Sequence, residues 1–400
     1  MMKQRRFDID WLRVGAMLVL FFFHNARFFD YSDWHLKNPD KSLGFTIFYI
    51  FISQWIMPLF FLLSGSGSWF ALEFKNSKSY IIDRIKRLLV PYYLVGFLVL
   101  IPPQYYFEQA SHGRFVGNFF QLIPQYFNLP YKPQLFGFYL GFHPNFLAYW
   151  GGHLWFLRYL FMLSFISLPV MLYLKSESGR KLISKIANLC CHRGGILLFL
   201  IPIALTNLAL RPVFPDYLSW ADFALWLVCF LIGYLIPADD RFNLAIKKNS
   251  WISLVLGLFA FAGGLLVYVL KIPAFSKAIS LHAGYNISYS IYLTLGSVIG
   301  WCWLAFILSI GAKFLNFNNR LLSYGNEAVL PFYILHQTII LSVGYFVIQS
   351  SLNCILKYIV ISSTSFILII LIYELLIRRF NIMRFLFGMK KHNTQMNGTR

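Results

Sequence analysis

Charge is scarce in this 400-residue chain, and acid is scarcer than base. Asp, Glu, Lys and Arg make up 12% of the residues, with 15 acids against 35 Lys and Arg. A water-soluble chain of this length carries roughly a quarter charged residues, so a soluble globular fold is excluded. The five cysteines give no disulfide framework: Cys190 and Cys191 are adjacent, Cys229 and Cys302 lie in apolar runs, and Cys354 stands alone. None has the spacing of a zinc site, and no metal is expected. There is no internal repeat. The glycine-rich stretch GSGSW lacks the lysine and spacing of a phosphate-binding loop. The first apolar run has no small-residue cleavage site after it, so it is expected to stay in the membrane as a helix. The net charge of +20 would suit nucleic acid if it formed a basic face. Here it falls in short clusters between apolar runs, and no nucleic-acid partner is expected.

Hydrophobic residues make up 58% of the chain. Apolar stretches long enough to span a bilayer recur at 11–30, 46–71, 88–107, 153–174, 195–210, 222–237, 251–270, 285–311, 327–350 and 356–377. Alternate connections are rich in base: KQRR, KNSKSYIIDRIKR, KSESGRKLISK, DDRFNLAIKK, the pair Lys313 and Arg320, and RRFNIMR. The positive-inside rule then places both termini in the cytoplasm. The expected fold is all-α, a polytopic membrane bundle of about ten transmembrane helices. One membrane domain is expected over 1–388, followed by a disordered cytoplasmic tail over 389–400. The segment 108–152, rich in aromatics, Pro and Gly, reads as an interfacial cap or as a surface that stacks on sugar rings.

Ionisable residues inside the apolar runs carry the functional signal, because they are costly at membrane depth and usually face a bundle interior. In the first run, Asp10 precedes Arg13 by three residues, close enough to pair on one helix face. Arg13 and His24 are eleven residues apart, about three turns, which puts them on one face roughly 16 Å apart. Arg27 follows one turn later. An imidazole there can take a proton from a hydroxyl near neutral pH; the competing reading is a polar seam that only joins helices. In the second run, Ser64 opens a small-residue patch that either lets helices approach closely or leaves room for a slender substrate arm. Arg84, Lys86 and Arg87 stand at the mouth of the third run, as topology signals or as a phosphate site. His153 and Arg158 lie in the fourth. In the ninth, Glu327 and His336 flank Pro331, which should bend the helix.

These motifs resemble bacterial acyltransferase family 3, the integral-membrane O-acyltransferases of cell-envelope glycans, over residues 5–380. The match rests on Arg13, ten residues, then His24, with Asp10 three residues before the Arg. It also rests on FFLLSG at 60–65 and RLLVPYY at 87–93. HLWFL at 153–157 and FYILHQ at 332–337 resemble the branch containing the succinyltransferase of periplasmic glucans. The resemblance implies a multi-pass protein of the inner membrane, needing Arg13 and His24 for activity. It implies a cytoplasmic acyl-CoA donor, acetyl-CoA or succinyl-CoA, and a hydroxyl acceptor on a carbohydrate or lipid-linked glycan. Arg84, Lys86, Arg87 and Ser64 are then expected along the donor path, and Arg27, His153, Arg158 and His336 around the substrates. Many members carry a further soluble esterase-like domain, so acyl acceptance here is expected in the membrane domain or on a partner protein, among membrane lipids. The same composition would suit a transporter or flippase for an envelope glycan or anion, and release of free CoA separates the two.

Overall fold

A computed structural model describes residues 6–127, 152–270 and 284–391. The chain runs through α1 (Phe7–Ala26), α2 (Leu43–Phe74), α3 (Ser77–Ser111), α4 (Phe119–Phe127), α5 (Gly152–Ile166), α6 (Leu168–Lys175), α7 (Glu177–Cys191) and α8 (Gly195–Leu210). It continues through α9 (Trp220–Ala238), α10 (Asp240–Lys248), α11 (Ser250–Val269), α12 (Ile287–Phe314), α13 (Arg320–Val347), α14 (Cys354–Ile377) and α15 (Asn381–Leu386). No strand occurs among the described residues. Several helix starts are chemically fixed: Asn286, Asn319 and Asn353 each accept a hydrogen bond from the N–H three residues on, satisfying a donor the helix cannot.

Seven of the described helices are long and apolar enough to cross a membrane, and eight if α5 and α6, bent by 48°, form one span. This is fewer than the ten expected stretches. The first, α1, carries Asp8, Asp10 and Arg13 in its opening turns, which interrupts its apolar length. The fifth, α8, is shorter than the roughly 20 residues a crossing needs.

Two features position the interior. Helix α2 crosses α9 with backbones in contact: a Cβ on Gly65 would lie 1.9 Å from the Phe230 carbonyl oxygen, and one on Gly233 would lie 1.9 Å from that of Leu62. The Ser66 hydroxyl donates to the Gly233 carbonyl at 2.7 Å. Helices α1 and α13 run parallel and in register. Gly325 faces Val14, Phe21 meets Phe332 at 5.5 Å between ring centroids, and Gly344 lies under Phe28. Helix α13 is unbroken through Pro331.

Helix α3 changes register where proline forces it. Pro91 has no N–H and its ring would strike the carbonyl four residues back. The Val90 N–H therefore bonds to the Ile85 carbonyl and the Ile101 N–H to that of Gly96, each five residues back. Such π-helical turns are rare and occur often at functional sites.

Candidate active site

The parallel register of α1 and α13 places His24 beside His336, with ring centroids 5.2 Å apart. His153, at the start of α5, stands edge-on to His336 at 4.9 Å. Three histidines separated by 129 and 183 positions in the chain thus form one cluster. Trp34, in the connection after α1, stacks on His24 at 6.0 Å and covers it from that side.

The hydrogen bonds settle where the protons sit. His336 Nδ1 lies 2.5 Å from the Tyr333 carbonyl oxygen. A carbonyl only accepts, so Nδ1 carries the proton and Nε2 keeps its lone pair. That Nε2 is buried and has no partner among the described residues. His153 Nε2 donates to the Ile334 carbonyl at 3.0 Å, and its Nδ1 accepts from Gln104 Nε2 at 3.3 Å. Gln104 Nε2 also donates to Thr338 Oγ1 at 2.7 Å, and the Tyr333 hydroxyl donates to the His153 carbonyl. Both nitrogens of His153 are therefore engaged, which makes it an orienting group. His24 Nδ1, like His336 Nε2, is buried and unpartnered. Among the described residues no group of three or more His, Cys, Asp or Glu is placed to hold a metal ion.

The opposite end of α1 holds the anticipated ion pair, Arg13 Nη1 to Asp10 Oδ1 at 3.3 Å. The small-residue patch of α2 divides. Gly65 and Ser66 pack against α9, while a Cβ on Gly67 would sit 3.8 Å from Arg13 Nη2. Ser64, one turn before Gly67, is half-buried and its carbonyl accepts from the Ser68 hydroxyl at 2.9 Å. Close packing against α9 and contact with Arg13 are thus properties of adjacent residues in one motif.

The basic trio does not form one surface. Lys86 and Arg87 are exposed, whereas Arg84 is half-buried and donates to Ser68 Oγ at 2.9 Å, a position shared with the Tyr80 hydroxyl at 2.9 Å. From the sequence Ser68 reads only as part of the small-residue patch, and nothing local to it signals a partner sixteen residues away. Arg158 is buried on α5 with its guanidinium carbon 5.3 Å from the centre of the Tyr92 ring. Glu327 pairs with Arg384 at 2.8 Å, drawing α15 onto the end of α13. Beside it, Asn319, Ser323, Tyr324, Glu327 and Arg378 line a cavity of about 670 Å³. Most of the aromatic segment 108–152 and most of the tail 389–400 lie outside the described residues.

Arg27 is engaged by the connection that follows α1. It pairs with Asp30 Oδ2 at 2.6 Å, donates to the Asp33 carbonyl and lies 4.0 Å over the Tyr49 ring. Without the guanidinium the buried Asp30 carboxylate keeps Lys37 at 2.9 Å and the Ser32 N–H at 2.8 Å, so the loss is expected below the roughly 3–5 kcal/mol of a stranded buried charge. Arg27→Met is expected to lower the thermal midpoint in detergent and to reduce kcat only in proportion to folded protein. A kcat lost at unchanged stability would move Arg27 into the chemistry.

Residues 6–374 match the family model described as an acyltransferase domain, that of acyltransferase family 3. The chain belongs to acyltransferase family 3. The matched domain is described as an acyltransferase, which favours acyl transfer over the transporter reading. Among curated proteins it is similar to glucans biosynthesis protein C of Escherichia coli strain SMS-3-5, 30% identical over 111 residues, which is 28% of this chain and 29% of that protein. The same protein from E. coli strain K12 is 29% identical over 111 residues, with the same shares. The alignment thus spans less than a third of the relatives' length. No solved structure matches. The family match covers every residue of the histidine cluster and of the Arg13 end, so both lie within the acyltransferase domain.

Proposed function

We propose that this acyltransferase takes an acetyl or succinyl group from cytoplasmic acyl-CoA and delivers it to a hydroxyl of a cell-envelope glycan in the inner membrane. The observation that carries the reading is a pair of imidazoles, half-buried His24 and buried His336, 5.2 Å apart, each with a buried nitrogen that no described protein group satisfies. A buried polar nitrogen without a partner costs free energy, so the site is suited to a hydrogen-bonding group from outside the protein. A substrate hydroxyl supplies one.

The donor enters beside Arg13, with the exposed Lys86 and Arg87 drawing its phosphates and the half-buried face of Ser64 and Gly67 giving room to its slender arm. The step from Arg13 to His24, roughly 16 Å of helix, matches the reach of that arm. His24 takes the proton as the acceptor oxygen attacks the thioester carbonyl. The new C–O bond forms, the C–S bond breaks, and the proton passes from His24 to the departing thiolate, releasing CoA as the thiol. His336 Nε2 offers its lone pair to the imidazolium while His153 holds His336 in place. The acceptor reading draws on the name of the similar proteins, glucans biosynthesis protein C.

The test is thiol release from acetyl-CoA and succinyl-CoA by purified protein, with and without pooled envelope glycans. Release that requires the glycan, with acyl esters recovered on it, is expected for one donor at least. Folded protein that releases no thiol from either donor in the presence of glycans overturns the reading.

A further inference from the structure

Arg158 is a cation without a counterion on two of its nitrogens. It is 7% exposed, and its Nε and Nη2 are buried with no hydrogen-bond partner among the described residues. Those two N–H groups form one edge of the guanidinium, the edge that presents parallel donors to two oxygens of a carboxylate or phosphate. The hydroxyl of Tyr92, whose ring the guanidinium overlies at 5.3 Å, is also buried and unpartnered. A nearby acid does not answer this need. Asp222, on α9, is engaged by Arg211 and by the Leu218 N–H. An isolated charge in a bundle interior is strongly unfavourable unless something pairs with it, and here the protein leaves that role open.

Place in the fold ties the pair to the donor. Arg158 follows His153 by five residues, about 7.5 Å along the axis of α5. Tyr92 lies in the π-helical stretch of α3, where the register shift turns side chains that a regular helix would direct elsewhere. Helix α5 packs against the same stretch of α3 that carries Arg84.

We propose that Arg158 and Tyr92 form a buried oxyanion site for the acyl donor, filled by a phosphate of CoA or by the terminal carboxylate of a dicarboxylic acyl group. This rests on the acyl-CoA reading above. The experiment compares wild type, Arg158→Gln and Tyr92→Phe with acetyl-CoA, succinyl-CoA and their pantetheine thioesters, reading KM, kcat and the thermal midpoint with and without CoA.

Arg158→Gln is expected to raise KM at least tenfold with little change in kcat, and Tyr92→Phe to raise it for the same donors by less. If both CoA thioesters are affected and neither pantetheine thioester is, the oxyanion is a phosphate. If both succinyl donors are affected and neither acetyl donor is, it is the carboxylate. Without donor, Arg158→Gln is expected to melt no lower than wild type, because it removes an uncompensated charge; a merely structural arginine would give a lower midpoint. Equal KM for all four donors in wild type and both variants overturns the site while leaving the donor reading intact. Wild type that shows neither turnover nor a thermal shift with CoA overturns the donor reading first.

Discussion

His24→Ala is expected to lower kcat for acyl transfer by about 10²–10⁴-fold, the usual contribution of a positioned general base, while the protein remains folded. The structure explains why the two effects separate. His24 Nδ1 has no partner among the described residues, so truncation breaks no hydrogen bond with them there. The ring is lost from between Trp34 and His336, which removes packing at one surface of the cluster. Glycan-dependent thiol release measures the first quantity, and the thermal midpoint in detergent the second. Because His336 acts on the proton that His24 takes, the double variant with His336→Gln should fall little below the worse single variant, as groups that work as a unit are non-additive. Near-wild-type turnover by folded His24→Ala would remove the imidazole from the chemistry and leave the cluster a packing feature.

Local chemistry was legible in the sequence to the extent that one helix contains it. Asp10 and Arg13 pair as their three-residue spacing requires, and the asparagines before α12, α13 and α14 mark helix starts by the same short-range logic. What needed the fold was contact across helices. Nothing near His336 or His153 reveals that both approach one point, because that follows from the parallel register of α1 with α13 and from Gln104 and Ile334 fixing the His153 ring. Arg27 shows another contact that helix spacing does not reveal. Its place one turn after His24 suggests a shared site, yet the chain leaves the helix there and supplies Asp30 to hold it. The span count differs for a related reason. Hydropathy marks apolar lengths, but polar residues serving the site shorten that length in α1. The register of α3 was hidden as well: RLLVPYY shows a proline, while the five-residue hydrogen bonds depend on the helix continuing through it.

Gly65→Ala is expected to be among the most damaging small substitutions in the bundle. Its Cβ would lie 1.9 Å from the Phe230 oxygen, 2.9 Å from the Phe230 carbonyl carbon and 2.9 Å from the Tyr234 nitrogen. All three are backbone atoms, so no side chain can rotate away and the helices themselves must part. Overpacking a core costs about 1–3 kcal/mol and at times more; a backbone clash on this scale belongs at the upper end or beyond. Gly233 makes the reciprocal approach to Leu62, and the Ser66 bond to the Gly233 carbonyl depends on the same separation. The consequence reaches the site, since α2 also carries Gly67 beside Arg13 and Ser68 beneath Arg84. Yield of folded protein, thermal midpoint and transfer rate should therefore fall together. Gly15→Ala is the control: no atom lies within 4 Å of its added Cβ, and in a helix Ala is favoured over Gly by about 0.8–1.0 kcal/mol, so it should be neutral or stabilising. Equal stability of the two variants would mean that α2 and α9 do not meet at these glycines, and the contact with Arg13 would lose its structural basis with them.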